Sequence, residues 1–186
     1  NLGYETTVNI MAISTAKESE ITEALSLLSQ CPLDVIYIVD SYVSMYMEQV
    51  DDLADKYLKM AEDHGKSVGM HAHNNQQLAF ANTIAALTRG VSYLDSTIGG
   101  MGRGAGNCSS EQLLGFLKNP KYDLIPILQF LEKHIIPLKK SGVVWGYNIP
   151  YLLTGQTNQH PRSAIAATKE KRTDFLDFLL ELNDKD

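Results

Sequence analysis

The sequence predicts an α/β fold built on a parallel sheet, and three observations predict it. Strand-like apolar runs alternate with amphipathic helical stretches at a period of roughly 25 to 33 residues, the rhythm of consecutive β/α units. The run "LDVIYIVDS" is apolar and β-branched almost throughout, as strands buried on both faces are. The residues with chemistry to offer fall at the carboxyl ends of the strands, where parallel α/β proteins keep their sites. An open doubly wound sheet and a (β/α)8 barrel both follow this rhythm. A full barrel needs about 250 residues, whereas the chain has 186.

Four segments read as strands: residues 6–14, 33–41, 67–74 and 91–99. Helical spacing fills the gaps. Residues 16–29 place Ile21, Ala24, Leu25 and Leu28 on one stripe, with Thr15 and Glu18 as a candidate capping box. Residues 47–62 align Val50, Leu53, Ala54, Tyr57 and Ala61 and stop at Gly65. Residues 76–88 align Leu78, Ala81, Ala85 and Thr88 and stop near Gly90. A fourth helix starts after Ser109. These stripes are core-packing faces. The tail opens near Lys121 with a long amphipathic helix, Pro126 in its first turn and Pro137 ending or kinking it. A short strand over 143–147, a loop, and helices over 163–171 and 173–182 close the chain.

Hydrophobic residues make up 44% and charged residues 20%, a globular rather than a disordered composition. The formal charge of -6 argues against nucleic acid and anionic membrane as partners, since their binders need clustered Lys and Arg. No run approaches the roughly 20 apolar residues of a membrane helix. Cys31 and Cys108, the two cysteines, read as reduced thiols of a cytoplasmic chain. The opening "NLGYETTVNI" lacks Met and any signal-peptide pattern, so a piece of a longer protein is expected.

Two of the five histidines stand together in "GMHAHNN". His71 and His73 are two apart on a strand, so both side chains face one way. That suits two ligands of one metal, and equally a polar strand end. The loop "GGMGRGAGN" follows the fourth strand with five glycines in nine positions. It is a flexible turn, or a loop that brings Asn107 and backbone N–H groups to a site. It lacks the Gly-Lys-Ser/Thr of a phosphate loop and the distal acid of a dinucleotide fingerprint. Asp40 and Asp95 close their strands as "IVDS" and "YLDS", as catalytic groups, helix caps or orienting groups. Cys108 is a nucleophile or, more simply, a packed thiol. No G-x-S-x-G supports a serine nucleophile.

The stretch "GMHAHNNQQLAFANTIAALTRGVSYLDSTIGGMGRGAGN" resembles the metal-dependent aldolase and lyase barrels, the HMG-CoA lyase-like family that includes 4-hydroxy-2-oxovalerate aldolase and 2-isopropylmalate synthase. "IYIVDSYVSMYMEQVDDL" and the reading "HAHNN" are closest to the aldolase branch. The resemblance implies a (β/α)8 TIM barrel, of which this chain carries the C-terminal part. Residues 1–120 would hold strands four to seven or eight, and residues 121–186 a helical tail closing or flanking the barrel. It implies His71, His73 and Asn107 as metal ligands. The ion would be Mn2+, or Mg2+ or Zn2+, chelating a 2-oxo acid. Asp40, Gly102, Arg103 and Gly104 are the matching candidates for substrate binding, and Tyr151 is the catalytic candidate, with Tyr147 its rival. The implied reaction is retro-aldol cleavage of a 4-hydroxy-2-oxo acid to pyruvate and an aldehyde. The alternatives are an acyl-CoA Claisen lyase or synthase, and a non-catalytic domain derived from the barrel. A dehydrogenase that consumes the aldehyde and a second copy of the chain are the implied protein partners. The family's Asp-x-x-Arg motif, which supplies a carboxylate ligand and an arginine, is absent from these 186 residues.

Overall fold

A computed structural model describes residues 2–184. Four parallel strands lie in sequence order: β1 (Thr7–Ile10), β2 (Val35–Asp40), β3 (Ser67–Ala72) and β4 (Tyr93–Leu94). Helices α1 (Glu18–Ser29), α2 (Met47–Asp63) and α3 (Ala79–Arg89) connect them. This unvarying order, with a helix in every crossover, is that of consecutive units of a (β/α) barrel. No helix of the described residues is long and apolar enough to cross a membrane.

The two faces of the sheet differ. Ile36 and Ile38 of β2 and Val68, Met70 and Ala72 of β3 pack against Ile21, Leu25, Val50, Leu53 and Tyr57 of the helices. Each such fully buried aliphatic side chain contributes about 1.5–3 kcal/mol. Val35, Tyr37 and Val39 face the other way and pack with Tyr93. The register sets Tyr37 beside Gly69 and Gly69 beside Tyr93, and one step on sets Val39 beside His71. His71 therefore belongs to the face away from the helices, at the carboxyl end of the sheet.

Several elements differ from the sequence expectation. β1 and β4 are shorter than the nine-residue segments predicted: the chain turns directly after Ile10, and beyond Asp95 the bonds leave β3. The Asp95 N–H still reaches the Met70 carbonyl at 3.0 Å, and the Thr97 N–H reaches that of Cys108 at 2.9 Å. Thr15 does not cap α1; its hydroxyl donates to the Ala12 carbonyl. Glu20 instead accepts the Lys17 N–H at 2.8 Å. Gly90 ends α3 at φ 112°, as expected.

Beyond the glycine loop lie α4 (Ser110–Leu117) and α5 (Leu124–Phe130), the latter capped by Asp123 accepting the Ile125 N–H at 2.9 Å. A π-helical turn, Leu131–Ile135, leads into α6 (Ile136–Lys140). Pro137 does not end the helical rod. It has no N–H to give and would crowd the carbonyl four residues back, and the widened turn just before it relieves that conflict. The strand expected over 143–147 is a loop. Its hydrogen bonds go to the glycine loop: the Trp145 indole N–H donates to Gly99 O and the Gly146 N–H to Gly104 O, both at 2.9 Å. A helix not expected from the sequence follows, α7 (Ile149–Gln156), with Asn148 accepting the Tyr151 N–H at 3.0 Å and Pro150 in its first turn. Helices α8 (Arg162–Lys169) and α9 (Phe175–Asn183) complete the tail.

Candidate metal centre

His71 and His73 stand edge to face, ring centroids 4.8 Å apart and planes at 80°. Strand alternation puts both on one face, and the surroundings orient each ring. His71 Nδ1 lies 2.9 Å from the Asp95 carboxylate, and His73 Nδ1 lies 2.9 Å from the main-chain carbonyl of Asp40. Both partners can only accept while Asp95 is ionised, so each neutral ring carries its proton on Nδ1. That leaves the Nε2 lone pairs, and neither Nε2 has a hydrogen-bond partner among the described residues. A ring whose one nitrogen donates to a carboxylate or carbonyl while the other stays free is the usual arrangement of metal-binding histidine. Burial pushes the His73 pKa down to about 4, helped by the charges of His71 and Arg103 and opposed by the Asp40 carbonyl, so the ring is neutral near pH 7.

The glycine loop is stitched to the end of β3. Asn107 forms an antiparallel bridge with His73, and the Asn74 N–H donates to Gly106 O at 2.8 Å. Gly106 has φ 84°, and a Cβ there would lie 2.0 Å from the Gly100 carbonyl oxygen, so only glycine fits. The Asn107 amide donates to Met101 O at 3.0 Å, while its Oδ1 is buried without a partner among the described residues. A buried amide oxygen left unpaired costs about 1–3 kcal/mol, a cost that a ligand on Oδ1 would remove. Asn107 also lines a cavity of about 260 Å3 that reaches Lys139 and Trp145.

The other expected site residues are placed as follows. Gly102 lies against the Asn107 amide. Gly104 has φ 61°, and its bare Cα lies under the Tyr151 ring; a Cβ would come within 2.3 Å of it. Tyr151 is buried, and burial raises its phenol pKa while the nearby Arg103 charge opposes the rise. Arg103 itself is exposed on the loop between these two glycines. Asp40, the remaining substrate-binding candidate, stands at the carboxyl end of β2. Its side chain is buried and accepts the Ser44 N–H at 3.1 Å, closing the turn after β2. Burial raises its pKa to about 7 against the bonds from Ser44, Met45 and Val43. What it offers the site is its main-chain carbonyl. The roles of that carbonyl and of Trp145 in clamping the loop carry no sequence signal beyond a lone Trp-Gly pair.

Among the described residues no group of three or more His, Cys, Asp and Glu could hold a metal ion. The partner-free donors of the site among these residues are two imidazole nitrogens and one amide oxygen. That donor set is not the four-ligand set of a closed structural zinc.

The model of the HMGL-like family matches residues 1–130. A 4-hydroxy-2-oxovalerate aldolase of Pelotomaculum thermopropionicum is 38% identical over 156 residues, 78% of this chain and 45% of the relative. One from Carboxydothermus hydrogenoformans is 30% identical over 97% of this chain and 54% of the relative. The chain thus spans about half the length of the curated relatives it matches. Among solved structures, the N-terminal domain of a putative aldolase from Bacteroides vulgatus superposes with TM-score 0.73 at 28% identity, over 90% of this chain and 55% of that one. The HMG-CoA lyase of Bacillus subtilis superposes at TM-score 0.62 and 18% identity, over 74% of this chain and 50% of that one, a likeness of fold alone. The strand order and these matches agree, and the chain belongs to the HMGL-like family.

Proposed function

We propose that the chain carries the metal-binding side of a divalent-metal-dependent carbon–carbon lyase that cleaves a 4-hydroxy-2-oxo acid to pyruvate and an aldehyde. One observation carries the reading: two imidazoles with their Nδ1 protons engaged and their Nε2 lone pairs free, beside a loop whose Asn107 Oδ1 is buried and unpaired. The named aldolase relatives favour this reaction over acyl-CoA chemistry.

His71, His73 and Asn107 would hold the ion, Mn2+ in preference to Mg2+ or Zn2+, and the oxygens of the 2-oxo acid would take open positions. When bound, the ion supplies a Lewis acid for the 2-oxo group. Asp95 and the Asp40 carbonyl keep the imidazoles aimed. Arg103, exposed on the loop, neutralises substrate carboxylate charge. Tyr151 keeps its phenolic proton at neutral pH, because burial raises its pKa. It can therefore donate a hydrogen bond to the 4-oxygen of the substrate as that hydroxyl loses its proton. A general base takes that proton, the C3–C4 bond breaks with its electron pair moving toward the 2-oxo group, and return of the proton to C3 completes pyruvate.

The test is metal analysis of the protein beside a His71→Ala, His73→Ala double variant, with turnover of 4-hydroxy-2-oxo acids measured against acyl-CoA plus 2-oxo acid. The proposal expects bound metal to vanish in the variant and aldehyde to appear only from the first substrate class. Unchanged metal content overturns it.

A further inference from the structure

We infer that Gln76 is a positioning residue: it braces a strained turn at Val43 and thereby holds the Asp40 carbonyl on His73. The inference rests on the reading of His73 as a metal ligand only for its effect on metal binding. Its effect on the His73 ring stands apart from that reading.

The turn after β2 carries a β-branched residue in a conformation that such residues avoid. Val43 is buried and has φ 59°. In this left-handed region the branched Cβ crowds the backbone, so the conformation persists only where neighbours hold it. The other non-glycine residues with positive φ among the described residues are Ala12, Gln77, Lys118, Asn158 and Lys171, none of them β-branched.

The neighbours that hold Val43 come from three directions. Within the turn, the Val43 N–H donates to Asp40 O at 3.3 Å and the Ser44 N–H to Asp40 Oδ1 at 3.1 Å. From the tail, Asn158 Oδ1 accepts the Ser44 hydroxyl at 2.5 Å, and Gly155 of α7 covers the Val43 carbonyl. A Cβ on Gly155 would lie 2.8 Å from Val43 O and 3.1 Å from Gln76 Cγ, so carbonyl and glutamine are packed together under a bare Cα. From the loop after β3, the Gln76 side-chain N–H donates to Val43 O at 3.0 Å.

Gln76 is itself aimed. Its Oε1 accepts the Tyr46 hydroxyl at 3.1 Å, which leaves the amide NH2 to face Val43. Its loop is fixed by Asn74, whose Oδ1 accepts the Ala79 N–H at 3.2 Å and whose carbonyl accepts the Gln77 N–H at 2.9 Å. The brace reaches the site through Asp40. One main-chain oxygen takes both the Val43 N–H and the proton on His73 Nδ1, the latter at 2.9 Å. Relaxing Val43 to negative φ turns the peptide units on both sides of it and withdraws that N–H. The Asp40 carbonyl then loses its fixed direction, and His73 loses the acceptor that keeps its proton on Nδ1.

The test is the tautomer of His73, read from its ring 15N shifts in chelator-treated protein at pH 8. The wild type should show the Nδ1–H form alone. Gln76→Met keeps the length of the side chain and loses both bonds. It should bring in the Nε2–H form, and Mn2+ titrated back should bind about three- to tenfold more weakly, at or below the usual effect of an outer contact. In a Val43→Gly background, where glycine takes φ 59° without strain, Gln76→Met should leave the tautomer as it is in Val43→Gly alone. A role for Gln76 in stability alone would lower the unfolding midpoint and leave the tautomer unmoved. Tyr46→Phe, at an exposed residue, only frees the amide to turn over, and decides the matter where Gln76→Met does not fold. It should bring in the second tautomer to a smaller extent. If the tautomers mix as expected but the wild type takes up no Mn2+, the brace stands and the metal reading falls. A wild type already mixed, His73 held as Nδ1–H in every folded variant, or an equal response to Gln76→Met in both backgrounds overturns the brace.

Discussion

Asp95 holds His71 through a 2.9 Å contact between its carboxylate and the imidazole Nδ1, and so decides which ring nitrogen is free. Asp95 lies two residues beyond Tyr93, which pairs with Gly69, two residues before His71. The two residues thus share one face and one level of the sheet. Removing the acceptor releases both the ring and its tautomer. Asp95→Ala is expected to weaken Mn2+ binding by about 10–100-fold, and Asp95→Asn by less, because an amide oxygen still accepts the Nδ1 proton. Competition against a fluorescent chelator measures the affinities; an Asp95→Ala protein with wild-type affinity would remove Asp95 from the site.

Gly106 lets the loop turn back on itself beside Gly100. Gly106→Ala would place a methyl 2.0 Å from a main-chain oxygen at a residue with φ 84°. Backbone cannot swing aside as a side chain can, so a loss of about 1–3 kcal/mol is expected in urea unfolding. Gly115→Ala is the contrast. A Cβ there meets nothing within 4 Å, inside α4. Replacing a helical glycine with alanine should leave stability equal or raise it by up to about 1 kcal/mol.

These cases mark what was legible in the sequence. The β/α rhythm was, because strand and helix periods are local. So was the shared face of His71 and His73, which follows from alternation alone. The length of β4 was not: "VSYLDSTIG" has strand composition, but after Asp95 the bonds leave β3, and Thr97 pairs with Cys108 and Ser110 beyond the glycine loop. Asp40 reads as a mouth residue by position, yet its carboxyl caps the Ser44 turn and only its carbonyl meets His73. Sequence places a residue at a strand end without saying which of its groups faces the site. The helix at Ile149–Gln156 did have a signal, Asn148 followed by Ile-Pro, a cap and a first-turn proline.

The two thiols should separate cleanly. Cys31 is exposed, whereas Cys108 is buried beneath the glycine loop and burial raises its pKa, with only Thr83 opposing. Thiolate is the reactive form, so a raised pKa and lost access act together. Ellman's reagent at pH 8 should titrate one thiol rapidly in the folded protein and the second only on unfolding. Cys31→Ser should abolish the rapid phase. Two fast equivalents would mean that the loop opens far more readily than its hydrogen bonds imply.

The link between β1 and β2 should fail in acid. Asp34 accepts the Thr6 N–H at 2.7 Å and the Thr6 hydroxyl at 3.0 Å, pinning the start of β1 to the start of β2. The backbone bond first, then the hydroxyl, holds the Asp34 carboxyl below its ordinary value, against slight desolvation. A pKa lowered by folding means that the folded state binds fewer protons than the unfolded one. The contribution is therefore complete above the unfolded value of about 3.9 and is lost as pH falls through the lower folded one. Asp34→Asn should accordingly lower the urea midpoint at pH 7 and show little difference from wild type near pH 2.5. Amide exchange should report the same change at Val8 and Ile10, the inward residues of the exposed edge strand. A gap between wild type and variant that persists unchanged at pH 2.5 would show that the carboxylate charge is not what fastens β1.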